Sequence, residues 1–377
     1  MTDPSQDIRW MRRALRLATL SLGRTWPNPG VGCVIVRDGC LLGEGRHAVF
    51  GQAHAEVNAL SQCRALGNDP AGATAYVTLA PCTRHGKQPP CTNALIAAGI
   101  ARVVAAVGDP NQDDPAIPLA EAGIRYDEGC LALAAAQVHG GFLSRVGLGR
   151  PRLTGKWAMT LDGSIATHTG DSTWISSTAA LTFSRRRRRV FDAIMVGSGT
   201  AYHDDPSLLS SMVGERTPVR IVVSANAELR ENSMLVATRA KAAVLMIHGP
   251  QAPAGNRSAL GSHGIDLWEV ANPHDPAEVA AALGRYGLNE VLVEGGAQIH
   301  GAYLRAGLYD RLELYIGSQT VGGGIGVAAG VGVEMMNDAR HWHHEDRPLV
   351  LGDTICLRLR KPPVLAPGEE PVVVEDD

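Results

Sequence analysis

The chain has 377 residues, enough for two domains of ordinary size, and 45 % of them are hydrophobic, enough for two cores. A formal net charge of −3 argues against a protein that coats nucleic acid or grips membranes through a basic surface. Residues Met1 to Arg13 carry no apolar run of signal-peptide length, and no window of about 18 apolar residues suggests a membrane span. Seven Cys, spread through a long chain, do not resemble a small disulfide scaffold; they suit a reducing cytoplasm with thiols free to bind metal.

Asp7 to Leu20 reads as an amphipathic helix with Ile8, Met11, Leu15 and Ala18 on one face. Trp26-Pro27-Asn28-Pro29-Gly30 is a rigid turn. Val31 to Val36 is a short apolar strand, Asp38-Gly39 a hairpin turn, and Leu41-Leu42 starts the returning strand. Ala53 to Leu66 reads as a helix, Thr74 to Leu79 as a strand, Pro81 to Pro90 as a loop, Thr92 to Ala98 as a helix and Arg102 to Val107 as a strand. This order predicts a sheet covered by helices. Gly147, Gly149 and Pro151 punctuate the chain next, and the domain boundary is placed there, dividing 1–148 from 149–362.

The second half alternates again. Leu153 to Met159, Ala193 to Val196, Val219 to Val223, Ala243 to Ile247, Glu290 to Val293 and Leu312 to Ile316 read as strands with helical stretches between several of them. This predicts a second α/β domain that does not repeat the first. The tail, 363–377, is Pro-rich and then acidic, and is expected to be disordered.

Three short elements carry chemistry: His54-Ala55-Glu56, Pro81-Cys82 and Cys91. One imidazole and two thiolates suit Zn²⁺, and three protein ligands leave a fourth position for water, as in a catalytic site. Zinc brings the pKa of such a water toward neutrality, which readies it to attack an amidine-like carbon such as C4 of cytosine. Glu56, two residues past the His, is free to move protons from the water to the departing amine. His54 lies at the start of one predicted helix and Cys91 just before another, whose N-terminus favours the Cys91 thiolate. The deaminase signature is His-x-Glu followed by Pro-Cys-x-x-Cys. Here the insert between the two Cys is longer, Thr83 to Pro90. The bland alternative is a closed structural zinc site or two buried thiols. The other five Cys read as packing residues.

In the second half, Val291 to Glu294 runs into Gly295-Gly296, with a helix from about Gln298. Glycines there allow close backbone approach, and the helix N-terminus suits a phosphate, although a plain tight turn has the same pattern. The run Arg185 to Arg189 reads on its own as a solvated helix face; a phosphate-bearing substrate would give one guanidinium a bidentate task.

The segments Thr25 to Val36, His54-Ala55-Glu56-Val57, Thr74 to Leu79 and Pro81 to Cys91 resemble the bifunctional riboflavin-biosynthesis deaminase/reductase family. So do Lys156 with Leu161-Asp162-Gly163, Trp174-Ile175, Asp192 to Thr200, Asp204-Asp205-Pro206 and Val293 to Ala297. The resemblance covers roughly residues 7 to 361. It implies an α/β protein: a cytidine-deaminase-like three-layer domain followed by a dihydrofolate-reductase-like domain. It implies Zn²⁺ and NADPH as cofactors, a phosphoribosylated pyrimidine as the partner, and a dimer or tetramer. The implied reactions are hydrolytic deamination of 2,5-diamino-6-(phosphoribosylamino)pyrimidin-4-one and reduction of its ribosyl group to ribityl.

By the same resemblance His54, Cys82 and Cys91 match zinc ligands and Glu56 the proton shuttle. Asn28, His47, Lys87 and Asp109 match positions lining the deaminase pocket; Asn28, between two prolines, is also an ordinary turn residue. Ser172, Arg188, Leu208 and Glu294 match positions holding the phosphoribosyl group. Ala158, Trp174, Thr200, Asp204, Ala297 and Ile299 match cofactor contacts, joined by Gly296 and Gln298 of the glycine turn. Lys156, on the first strand of the second half, is the expected donor to the opened ribose. The chain departs from the family at Ala80 (Glu is usual), Arg84 (His), Ser224 (Asp) and within Leu209-Ser210-Ser211, where an Arg is expected. These departures touch the grip on substrate, so a diverged paralogue with an active deaminase and a weakened reductase is the alternative reading.

Overall fold

The computed structural model describes residues 4–211, 217–328 and 330–362. The tail expected to be disordered, 363–377, lies outside the described residues.

The first half runs α1 (Pro4–Thr19), β1 (Gly32–Arg37), β2 (Cys40–Arg46), α2 (Ala55–Ala65), β3 (Thr74–Val77), α3 (Cys91–Ala97), β4 (Arg102–Ala105), α4 (Ala116–Glu121), β5 (Arg125–Glu128) and α5 (Ala132–Leu148). The sheet order is β2-β1-β3-β4-β5, with β1 antiparallel to both neighbours and β3, β4 and β5 parallel. Alternation along β1 splits the core into two. Cys33 and Ile35 pack with Ala59, Leu60 and Leu95 under α2 and α3. Val34 and Val36 pack with Trp10, Met11, Ala14 and Ala135 under α1 and α5. The result is three layers, as expected.

The predicted face of α1 is rotated. Trp10 and Ala14 point inward with Met11, Leu15 and Ala18, while Ile8 is 38 % exposed. A polar anchor fixes that rotation: Asp7 accepts two hydrogen bonds from Arg102 at 2.8 and 2.9 Å and one from Tyr76 Oη at 2.8 Å. On the other side, α2 lies almost on the backbone of β2. A Cβ at Gly45 would sit 2.3 Å from the Ala59 nitrogen, and one at Gly43 would sit 2.6 Å from Cys63 Sγ. Glycine at these two positions lets α2, with Glu56 in its first turn, reach its place. Beyond β4 the expected order stops short: α4, β5 and α5 complete the domain.

α5 ends at Leu148, Gly149 turns the chain with φ +70°, and the second half begins. It runs β6 (Arg152–Met159), β7 (Ser164–Ala166), α6 (Thr178–Arg187), β8 (Ala193–Gly197), α7 (Ser198–His203), β9 (Val219–Val223), α8 (Met234–Ala237), β10 (Val244–His248), α9 (Ala254–Ser262) and β11 (Asp266–Glu269). It continues with α10 (Pro276–Arg285), β12 (Glu290–Glu294), α11 (Ala297–Arg305), β13 (Arg311–Ile316), β14 (Ile325–Gly326), β15 (His343–His344), β16 (Leu349–Leu351) and β17 (Thr354–Arg360). The sheet order is β11-β10-β9-β8-β12-β6-β13-β17-β15. All strands from β11 to β13 are parallel, and β17 is antiparallel to β13. The strands β11 and β17 were not anticipated.

The chain winds outward from β8 to β11, then returns as β12 between β8 and β6. Such a reversal opens a crevice at the carboxyl ends of the flanking strands. Met195 and Val293 feed one core with Val279 and Leu283 of α10, while Ile194 and Val222 feed the other with Leu235 and Leu260. Among the described residues no helix is long and apolar enough to cross a membrane.

His139 of α5 and His300 of α11 are both fully enclosed, and burial pushes each imidazole down to about 4. Their ordinary value is 6.5, so the unfolded chain takes up these protons first. The stability they permit is complete above about pH 6.5 and falls as pH drops toward 4, by about 1.4 kcal/mol per unit for each residue. Urea midpoints measured between pH 7 and 4.5 should fall less steeply in His300→Gln than in the wild type. Equal slopes would show that His300 is not buried in its neutral form.

Candidate active sites

Two helix starts converge to form the first site. His54 is the N-cap of α2, and Cys91 opens α3. Cys82 reaches them from the loop after β3. His54 Nδ1 lies 3.6 Å from Cys82 Sγ and 3.3 Å from Cys91 Sγ, and the three donor atoms all fall within 4.8 Å of one another. The Cys91 backbone N–H also donates to Cys82 Sγ at 3.2 Å. Hydrogen bonds from Cys91 and His54 hold the Cys82 thiol well below its ordinary range. One imidazole and two sulfurs at this spacing fit a single Zn²⁺.

Glu56 faces the same point from the first turn of α2. It is 3 % exposed, and burial, aided by the Cys82 charge, pushes its carboxyl up to about 7. It also hydrogen-bonds Cys91. A closed structural site has no use for a carboxyl buried against its ligands.

His47 stands edge-on to His54, with ring centroids 5.2 Å apart. Its Nδ1 meets the Ala53 carbonyl at 3.1 Å, which can only accept, so Nδ1 carries the proton. Nε2 is then an acceptor, and the Asn28 Nδ2 amide faces it at 3.4 Å. Burial pushes the His47 pKa down, in keeping with a neutral ring. Lys87 is exposed, with its Nζ 4.1 Å above the Phe50 ring. Asp109 follows β4; burial first and the Cys82 charge second raise its carboxyl, which accepts from the Asn111 N–H at 2.9 Å. Asn28 and His47 thus adjoin His54, and Asp109 feels the Cys82 charge, while Lys87 meets only Phe50.

Arg84 turns away from that centre and forms an exposed pair with Asp113 at 2.7 Å. Ala80 is buried, its N–H bonded to Val107 O at 2.8 Å. Gln112 was not anticipated: its Oε1 accepts from the N–H groups of Thr83 and Arg84 at 3.3 and 3.2 Å, bracing the loop that carries Cys82. The Asp-Pro-Asn-Gln run signals only a turn, so sequence gave no cue to this brace.

The second site lies at the carboxyl ends of β6, β8 and β12. Register pairs Lys156 with Glu294 on β12 and with Glu313 on β13, so all three point to the face covered by α6. Arg188 grips Glu294 with both edges of its guanidinium, at 2.9 and 2.8 Å, and donates to Leu209 O at 3.0 Å. Lys156 Nζ lies 3.9 Å from Glu294 and over the Tyr315 ring. Burial opposes ionisation of Glu294, but the Arg188 and Lys156 charges overcome it and hold the carboxyl at about 2. The solvated-face reading of the Arg run is corrected here. Arg187 and Arg188 turn inward, Arg187 to Glu313 at 3.1 Å, because each has a buried carboxylate to meet. Removing one partner of such a pair leaves a stranded charge, at a cost of about 3–5 kcal/mol.

Around this cluster, Thr200 of α7 approaches the glycine turn, where a Cβ on Gly296 would lie 4.0 Å from Thr200 Oγ1. Gly296 is the N-cap of α11, followed by Ala297, Gln298 and Ile299 in its first turn. His300 Nε2 accepts the Gly295 N–H at 3.3 Å, fixing that turn. Asp204 caps α7 at its C-terminus. Ala158 packs on Tyr315 and Phe183. Trp174 is 70 % exposed with φ +63°, and its carbonyl accepts from Gln319 at 2.9 Å, beyond the carboxyl end of β13. Ser172 is exposed in the same segment. A glycine turn at the N-terminus of α11 is chemically suited to a phosphate of a dinucleotide.

Leu208 is buried with φ +52°, so it shapes its loop from below. Arg220, fully buried, donates to Ser207 O at 3.1 Å and ties that loop to β9; sequence did not single it out. Ser224, where the resemblance implies Asp, accepts the Glu228 N–H with its hydroxyl at 3.0 Å. Ser211 is exposed.

With the geometry in place, likeness to known proteins is informative. The model of the cytidine and deoxycytidylate deaminase zinc-binding region matches residues 4–107, and that of the RibD C-terminal domain matches residues 151–349. The riboflavin biosynthesis protein RibD of Escherichia coli (strain K12) is 36 % identical, over 94 % of this chain and 99 % of that protein. RibD of Bacillus amyloliquefaciens is 36 % identical over 88 % and 90 %. The crystal structure of a diaminohydroxyphosphoribosylaminopyrimidine deaminase/5-amino-6-(5-phosphoribosylamino)uracil reductase from Thermotoga maritima superimposes with a TM-score of 0.84 at 30 % identity, covering 95 % of this chain and 99 % of that one. Acinetobacter baumannii RibD does so with 0.85 at 32 % identity, covering 95 % and 99 %.

Fold and sites together define a bifunctional enzyme: a zinc-dependent, cytidine-deaminase-like domain joined to an NADPH-dependent, dihydrofolate-reductase-like domain. The chain belongs to the RibD family of riboflavin biosynthesis proteins. Nothing in the comparisons favours a diverged paralogue.

The purified protein should carry stoichiometric zinc by atomic absorption. Cys82→Ala and Cys91→Ala should lose it, while Glu56→Gln should keep it. Full zinc in Cys82→Ala would exclude this ligand set.

Proposed function

We propose that residues 1–148 deaminate 2,5-diamino-6-(phosphoribosylamino)pyrimidin-4-one by hydrolysis, and that residues 149–362 reduce the ribosyl group of the product to ribityl with NADPH. The observation that carries this reading is the meeting of His54, Cys82 and Cys91 within 4.8 Å, against the enclosed Glu56.

His54, Cys82 and Cys91 would hold zinc, which when bound lowers the pKa of a water toward neutrality. Glu56 takes a proton from that water and passes it to the departing amine. The water oxygen stays on the ring carbon, and the nitrogen leaves as ammonia. Asn28, His47 and Asp109 orient the pyrimidine, and Lys87 adds a cation at the mouth of the pocket.

In the reductase half NADPH supplies a hydride. Lys156 donates the balancing proton to the opened sugar, held in place by Glu294, which Arg188 anchors in turn. Ser172, Arg188, Leu208 and Glu294 form the substrate side. Ala158, Trp174, Thr200, Asp204, Gly296, Ala297, Gln298 and Ile299 form the cofactor side. The hydride and the proton together add two hydrogens to the sugar. The same reading assigns a cytoplasmic homo-oligomer, dimer or tetramer, with a phosphoribosylated pyrimidine and no nucleic acid as partner. Near-neutral charge and an aromatic content of 5 % support the last point.

Mass spectrometry of the zinc-loaded enzyme with this substrate should show the amine lost, then two hydrogens gained once NADPH is added. Glu56→Gln should slow the first step by about 10²–10⁴-fold and leave reduction of pre-deaminated substrate intact. Lys156→Met should do the reverse. Normal reductase turnover in Lys156→Met would remove Lys156 from the mechanism, and ammonia release at the wild-type rate in Glu56→Gln would remove Glu56.

A further inference from the structure

The turn Trp26-Pro27-Asn28 belongs to the first half by sequence, yet its anchor lies in the second. Trp26 Nε1 donates to Gly287 O at 2.6 Å, and its ring stacks on Tyr286 with centroids 6.0 Å apart. Gly287 takes φ +94°, and a Cβ there would lie 3.6 Å from Pro27 Cβ. One residue on, the Pro27 carbonyl accepts from Asn289 Nδ2 at 3.0 Å and from Arg145 Nη2 at 3.2 Å. Arg145 Nε donates to Asn289 Oδ1 at 2.7 Å, so these two side chains also hold each other. Asn289 is fixed in its own right, because its N–H and that of Glu290 donate to Asp192 Oδ2 at 2.8 and 2.9 Å.

A carbonyl oxygen has two lone pairs, and here both are engaged. The peptide unit from Pro27 to Asn28 is planar, so fixing the Pro27 oxygen also fixes the nitrogen and Cα of Asn28. With that plane held, only rotation about the Asn28 N–Cα bond and its side-chain torsions remain to place the amide. The Asn28 amide then faces His47 Nε2, and His47 stands edge-on to His54. A short chain of contacts thus runs from the start of β12 to the deaminase centre. On the reductase side, β12 ends at Glu294, in the other site.

We propose that Asn289 and Arg145 are positioning residues for deamination, and that the reductase domain completes the deaminase pocket by gripping the Pro27 carbonyl and so orienting Asn28. This rests on the reading of Asn28 as a pocket residue. It gives a physical reason for carrying both activities on one chain that needs no passage of intermediate between the sites. A displacement of about 1 Å in a substrate-positioning group is enough to cost up to about 10²-fold in turnover.

The test uses the full-length, zinc-loaded enzyme and the diaminopyrimidine ribonucleotide. Asn289→Asp is nearly isosteric and keeps an acceptor for Arg145, but it sets an oxygen against the Pro27 carbonyl. Trp26→Phe removes the indole N–H together with part of the stacked ring, and it serves as the second variant should Asn289→Asp fail to fold. Either variant should raise KM for deamination by about tenfold and change kcat less, with zinc content and reduction of pre-deaminated substrate at wild-type values. Wild-type KM in a folded variant, or equal losses in both activities, overturns the proposal. Asn28→Ala closes the cycle. If Asn289 acts through Asn28, the double variant Asn28→Ala with Asn289→Asp is no worse than Asn28→Ala alone; losses that multiply overturn the proposal. Wild-type deamination by Asn28→Ala would instead overturn the reading of Asn28 on which the proposal stands.

Discussion

Two sulfurs and an imidazole brought within 4.8 Å of one another set the terms for the first half of this molecule. Such donors do not gather of their own accord. Each must be delivered by a separate element, and each delivery has a visible cause. Gly43 and Gly45 let α2 lie against β2, which places His54 and Glu56. The Cys91 N–H bonds Cys82 Sγ, which ties the loop to the start of α3. Gln112 braces the same loop from behind. The helices lie on a sheet whose two faces are each filled by alternate residues of β1, so the scaffold beneath the donors is rigid on both sides.

The second half solves a different problem with charge. Its central strands carry Lys156, Glu294 and Glu313 on one face, where burying any one of them alone would be costly. Arg187 and Arg188 turn inward to balance the two carboxylates. What results is a polar floor that is paired yet still presents Lys156 at the crevice. Arg188 also binds the backbone of the neighbouring loop at Leu209 O. Ser224 likewise does with a hydroxyl what a carboxylate would do as a turn acceptor.

These two designs explain what could be read from the sequence. The metal donors and Glu56 occupy short motifs at helix starts, so their chemistry is written in neighbouring letters. Apolar runs marked β1, β3, β4, β8, β9 and β12 for the same reason: central strands bury both faces. The edge strand β5, Arg-Tyr-Asp-Glu, is half solvated and carries no such mark. Strand β17 interleaves Arg358 and Arg360 with its apolar residues, and Arg358 is matched by Asp346 twelve residues away. The inward turn of Arg187 and Arg188 was hidden further still, because their partners lie 126 and 106 residues along the chain. The rotation of α1 was missed on the same ground: Arg102, which holds Asp7, lies 95 residues away. Local pattern records what a residue buries; it does not record a distant charge that makes burial tolerable.

The junction between the halves follows from the same distinction. Trp26, Arg145 and Asn289 look unremarkable in sequence, being a turn aromatic, a helix-end cation and a polar residue before a strand. Their meaning is set by the Pro27 carbonyl, which none of them adjoins except Trp26. A junction held only by apolar contact would tolerate sliding, since dispersion is non-directional. A carbonyl gripped by two donors that also bind each other does not slide, because both bonds weaken steeply with angle. Directional bonds at a domain boundary therefore do more than attach one half to the other: they fix the orientation of a backbone plane whose next side chain faces the deaminase centre.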